Sequence, residues 1–261
     1  MARIVLVHGA FSGAWVWEPV ADKLRETGHS VEAFDLPGSG NDSTPVEQVT
    51  LDAYADRVCD VLAGDPQPAV LVGHSMGGVA ITQAAGRCPQ KVGLLVYVAA
   101  FLPRDGQSLI DLTKLPEGEG DQVQANMVAD GDPPVARLEG EGARIACYGN
   151  CDDDQVAWAT ERMTPQPVVP FVTPVAIADP AANEIPRAYV ICTQDQAIPP
   201  ALQRRMVREN PCVAVREIDT DHSPWLSATD ELVRILARLG RESDRGAFEA
   251  SDVLLGSLEG E

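Results

Sequence analysis

The sequence lacks any apolar run approaching the roughly 18 residues that a membrane-spanning helix needs, so a bilayer-embedded protein is not expected. It is also short of positive charge. Against 39 Asp and Glu stand 20 Lys and Arg, a formal net charge of −19 over 261 residues. Nucleic acid and anionic membrane surfaces both call for clustered Lys and Arg, so neither is expected as a partner. Histidine is scarce, with four in the chain, and the six cysteines (Cys59, Cys88, Cys147, Cys151, Cys192 and Cys212) form no Cys-x-x-Cys pair. A zinc site is therefore not expected, and most of the cysteines read as small buried hydrophobes. Internal repeats and low-complexity tracts are missing as well. The opening "MARIVLVHGAFSGAW" has one basic residue and a short apolar run ending in His-Gly. That reads as a buried first strand rather than a secretion signal, which makes the cytoplasm the expected compartment.

What is present is an alternation. Short apolar, β-branched runs are each followed by turn residues and then by a stretch of helical period. "ARIVLVHG" precedes "WEPVADKLRETG", and "HSVEAFDLPGSG" precedes "TLDAYADRVCDVLAG", whose Leu51, Tyr54, Ala55, Val58, Val61 and Leu62 share one helical face behind a Thr50 cap. "AVLVGHS" leads into "MGGVAITQAAGRCP", and "KVGLLVYVAAFLP" follows. Later come "RAYVICTQD" with "PPALQRRMVREN", and "CVAVREIDTDH" with "TDELVRILARLG". About six strands, most apolar on both faces and joined by helices, predict an α/β fold with a mostly parallel sheet covered on both sides. Residues 1–102 and 187–240 would form this core. Residues 103–186 are far too many for a simple connection and predict a cap over the sheet edge, inserted before the last two strands. Residues 241–261 read as an acidic, frayed tail.

Right-handed crossovers put the C-terminal ends of all these strands along one edge, where α/β sheets bind ligands. On that edge "VGHSMGG" holds Ser75 between Gly73 and Gly77, after a strand and before a helix. Alone the pattern is weak. In that context it describes a nucleophile on a strained turn, where small neighbours are required and a helix N-terminus faces the reacting oxygen. A serine hydroxyl needs a base and the base needs an orienting acid. Each of the two strands after the insertion supplies one: Asp195 just past the first and His222 just past the second. Asp219 and Asp221 are rival acids but share the turn of His222. The backbone N–H groups of Ala10 and Met76 are the candidate oxyanion donors. His8 and His74 read as loop-bracing groups.

The segments "VLVHGAFSGAWVWEPVADKLRETGHSVEAFDLPGSG", "LVGHSMGGVAI", "YVAAFLP" and "CYGNCDDDQVAWATERMTPQP" resemble the α/β-hydrolase superfamily, and within it the branch of plant methylesterases and hydroxynitrile lyases. The resemblance runs from Arg3 to about Leu239 and implies the same triad and oxyanion donors. It departs from the lyases at two positions, where their Thr and Lys are replaced by Gly9 and Ser223.

The expectation is a serine carboxylesterase acting on small to medium hydrophobic esters, aryl or methyl, through an acyl-enzyme. It would need no cofactor and no metal. Phe11, Phe101, Leu102, Trp158, Met163 and Phe171 are candidates to line its pocket. Two alternatives stand beside it: a ligand receptor that keeps the fold without efficient turnover, and a hydroxynitrile lyase, disfavoured by Gly9 and Ser223.

Overall fold

The structure, a computed structural model, describes residues 1–248. Nine strands occur among them: β1 (Arg3–Val7), β2 (Ser30–Ala33), β3 (Ala69–Ser75), β4 (Val92–Ala100), β5 (Val128–Asp130), β6 (Val135–Arg137), β7 (Gln166–Pro167), β8 (Arg187–Cys192) and β9 (Ala214–Ile218). Six of them form one sheet in the order β2-β1-β3-β4-β8-β9, and every neighbouring pair is parallel. The central strands β1, β3 and β4 are apolar on both faces because helices cover both sides. The edge strand β2 alternates, burying Val31 between exposed Ser30 and Glu32. Helices Leu51–Ala63 and Gly77–Ala85 pack on each other, as do Glu18–Glu26 and Thr229–Arg245.

The chain leaves β1 towards one edge and leaves β3 towards the other, so the loops after these two strands open a crevice between them. The loops after β8 and β9 end on the same side because every strand is parallel. Local chemistry keeps the elements in register. Thr50 Oγ1 accepts from Ala53 N at 3.0 Å and starts its helix. Gly28, with φ of 89°, follows the end of the first helix, where a side chain would be strained.

Between β4 and β8 the chain builds β5, β6 and β7 into a small antiparallel sheet, with helices Gly140–Cys147 and Asp153–Thr160 beside it. Within the insertion, the Gly- and acid-rich span 117–142 contributes β5, β6 and the helix Gln122–Asn126. Single polar bonds stitch the insertion to the sheet. Thr164 N donates to Phe11 O at 2.9 Å, Gln122 N to Gln196 O at 2.8 Å, and Asn150 N to Asp221 Oδ2 at 2.8 Å.

Two expectations are corrected. Cys59 and Cys88 form a disulfide (Cα–Cα 6.2 Å) rather than two independent buried thiols. It joins the helix Leu51–Ala63 to the turn after Gly77–Ala85, a bond unusual in a reducing cytosol. The last helix also runs past Gly240 to Arg245, because Leu232, Leu236 and Leu239 keep its apolar face in the core and Gly246, with φ of 64°, closes it. The remainder of the expected tail, from 249 on, lies outside the described residues. Among the described residues no helix is long and apolar enough to cross a membrane.

Candidate active site

Ser75 ends β3 with φ of 54°, a conformation rare for a residue with a side chain. Three contacts explain why glycines surround it. A Cβ on Gly73 would lie 2.7 Å from Gly77 O, one on Gly77 would lie 2.7 Å from His8 O, and one on Gly78 would lie 2.0 Å from Phe101 O. Strand, turn and helix are packed backbone against backbone. Among the described residues, Phe11 (φ 60°) and Ala99 (φ 41°) are the other non-glycine residues in this region of backbone space. Phe11 follows β1, and Ala99 lies in β4 at the register shift beside Ser75, where His74 pairs with Val98 and Ser75 with Ala100. Such strain, gathered in one place, marks functional sites more often than scaffolds.

Asp195 follows β8 and is buried. Its Oδ1 accepts from the N–H groups of Ala197 at 2.8 Å and Ile198 at 2.9 Å. Its Oδ2 accepts from Gln203 Nε2 and from His222 Nδ1, both at 2.9 Å. Burial alone would push the imidazole of His222 down. The Asp195 carboxylate outweighs it, helped by Asp221 and Asp121, and the net pKa is raised above the ordinary 6.5. With Nδ1 bound to Asp195, the ring's other nitrogen is the one left for chemistry. Gln203 is fully buried, and besides Asp195 it bonds Ile198 O and Cys192 N, so it fixes the acid to its own loop.

The rival acids are occupied elsewhere. Asp221 accepts from Ser223 N at 3.0 Å, Ser227 Oγ at 2.6 Å and Asn150 N at 2.8 Å, which clamps the His222 turn to the insertion. Asp219 accepts from Thr193 and Gln194. The two other histidines of the site have their tautomers set by neighbours. His8 Nδ1 donates to Gly9 O at 2.8 Å, and Nε2 accepts from Leu36 N at 3.0 Å. His74 Nε2 donates to His222 O at 2.8 Å. Burial lowers the pKa of both, so they stay neutral braces. Asp35, which sequence reasoning did not single out, accepts from Ala14 N at 2.6 Å and Asn41 N at 2.9 Å and pins the loop after β1.

Ser75, His222, Ala10 and Met76 all line one cavity of about 700 Å³, counted out to its open mouth. Phe11, Phe101, Met163 and Phe171 are in its wall. Leu102 and Trp158 are not. Leu102, next to Phe101, is buried in the core, and its backbone N–H donates to Met206 Sδ at 3.3 Å. Trp158 stacks edge-on against Trp15 at 5.3 Å under the Arg162 guanidinium. The wall also holds Trp225, Ile198 and Asp121, which the sequence did not single out. Trp225 and Ile198 carried a signal, since each lies within three residues of a predicted triad member.

The family model described as the alpha/beta hydrolase family matches residues 4–235. Methylesterase 7 of Arabidopsis thaliana is 31% identical over 248 residues, covering 91% of this chain and 95% of that protein. Putative methylesterase 11, chloroplastic, of the same plant is 30% identical and covers 92% of this chain, which spans 64% of that relative's length. Among solved structures, a pyrethroid hydrolase superposes with a TM-score of 0.83 at 27% identity, covering 94% of this chain and 98% of that one. Similarity to methylesterases and related hydrolases supports an esterase function at that general level.

Proposed function

The chain belongs to the alpha/beta hydrolase family, and from that premise we propose that it is a serine carboxylesterase with Ser75 as nucleophile, His222 as base and Asp195 as orienting acid. The observation that carries the reading is the His222–Asp195 bond of 2.9 Å, formed beside the cavity that Ser75 lines from its strained turn. In this mechanism Ser75 Oγ attacks the ester carbonyl carbon while its proton passes to His222. The carbonyl oxygen becomes an oxyanion facing the N–H groups of Ala10 and Met76 at the mouth of the helix Gly77–Ala85. The carbon–alkoxide bond then breaks, and the alcohol leaves with the proton from His222. Water, deprotonated by the same His222, attacks the acyl-enzyme, and the acid is released as Ser75 recovers its proton.

The apolar wall favours hydrophobic esters, and we read them as small to medium, aryl or methyl. Residues 103–186 serve as the cap that walls the cavity on the side away from the sheet. Against the lyase alternative stands Gly9, where a Cβ would lie 2.8 Å from Ser75 Cβ and 3.1 Å from His74 Nδ1. The hydroxyl that the lyases' threonine would bring beside Ser75 is missing here, as is their lysine, replaced by Ser223.

The test is hydrolysis of a short-chain chromogenic ester by wild type, Ser75→Ala and His222→Ala. Turnover by the wild type and a loss of about 10³-fold or more in both variants is the expected outcome. Equal activity in wild type and Ser75→Ala would sink the mechanism.

A further inference from the structure

Among the described residues, Asp121 is the one Asp, Glu, Lys or Arg in the wall of the cavity. It is 8% exposed. Its bland role is to cap the short helix Gln122–Asn126, and Oδ1 does this alone, accepting from Val123 N at 2.8 Å and Gln124 N at 3.0 Å. Among the described residues Oδ2 receives one donor, Gln124 Nε2 at 3.2 Å, although a carboxylate oxygen has room for more. Among the described residues it forms no ion pair with Lys or Arg, and the basic group whose charge eases its own is His222.

Asparagine caps a helix about as well as aspartate and would bury no charge. A carboxylate kept here therefore carries a cost that the cap does not explain. Burial pushes the Asp121 carboxyl above its ordinary range, with its three hydrogen bonds pulling the other way. It shares the cavity wall with His222 and Cys147, and its charge raises the pKa of both. A second observation agrees in sign, because the whole chain carries a net charge of −19.

We propose that Asp121 is a specificity determinant that selects hydrophobic esters bearing a positively charged amine or quaternary ammonium group. The apolar wall takes the body of such a substrate, and Oδ2 of Asp121 meets its cation away from the ester carbonyl. Esters bearing a carboxylate are rejected by the same charge, and the acid product is released from a site that repels it. This rests on the esterase reading for its biological meaning, but the binding preference stands apart from turnover.

The experiment is therefore a binding measurement. Calorimetry compares 3-(trimethylammonio)phenol with its isostere 3-tert-butylphenol, on wild type and on Asp121→Asn, in about 0.5 M salt so that surface charges are screened. Wild type should bind the cation about tenfold more tightly than the isostere, and in Asp121→Asn the ratio should fall to about one. The asparagine retains the helix cap, and circular dichroism checks the fold. No preference in wild type overturns the proposal, as does a preference that survives in Asp121→Asn. Hydrolysis of a chromogenic ester is assayed on the same preparations. Cation preference without turnover would leave Asp121 as proposed and count against the esterase reading alone.

Discussion

Asp195 holds a proton on His222 to higher pH than burial alone would allow, and this one pair ties activity and stability to pH in opposite senses. As the proposed base, His222 must be unprotonated, so kcat/KM should fall as pH drops through a pKa above the ordinary 6.5. An acid limb at or below that value in the pH profile would mean that burial wins over the carboxylate. For stability the sign reverses. The folded imidazole binds its proton more tightly than the unfolded one, so its contribution is complete below about 6.5 and is lost as pH rises through the folded value. Unfolding free energies of wild type and His222→Gln should accordingly differ most at low pH and converge above neutrality. Gln203 serves the same pair, since it keeps Asp195 Oδ2 aimed at the ring. It was legible in principle, being a lone amide on a helical face otherwise made of Leu202, Met206 and Val207.

At the scale of elements, the close approach of the helix Gly77–Ala85 to β4 decides how Ser75 is presented. Gly78→Ala would drive a Cβ to 2.0 Å from Phe101 O, a backbone atom that cannot swing aside. The expected cost is about 3 kcal/mol or more, read as a fall of roughly 6–12 °C in Tm. Gly149→Ala, where nothing lies within 4 Å, should change stability by less than about 0.5 kcal/mol. Equal effects at the two positions would contradict this account of the turn. The six strands of the main sheet were legible because most are continuous apolar runs, as buried parallel strands are, and each ends in turn residues that mark the working edge. Ser75, Asp195 and His222 were found from that edge, and their roles remain those of the proposal. Strands β5, β6 and β7 were not legible. "VAD", "VAR" and "QP" are too short to carry a period, and they are strands only because they pair with one another. The Cys59–Cys88 bond was hidden for a related reason, since a separation of 29 residues says nothing about which helices meet.

For the whole molecule, two sources of negative potential act on a charged substrate, and salt separates them. The net charge of −19 is spread mainly over solvent-exposed Asp and Glu, whose field reaches outward and steers cations towards the chain. At about 0.1 M salt that field decays over about 10 Å, and at higher salt it is largely removed. Asp121 is screened far less, because it is buried in a mostly apolar wall. For a chromogenic ester bearing a trimethylammonium group, kcat/KM relative to its tert-butyl isostere should therefore fall severalfold between about 10 mM and 0.5 M salt and then level off above one. In Asp121→Asn the same ratio should fall to about one. If the wild-type ratio also drops to one at high salt, the preference belongs to the surface charge, and the buried carboxylate contributes nothing to selection.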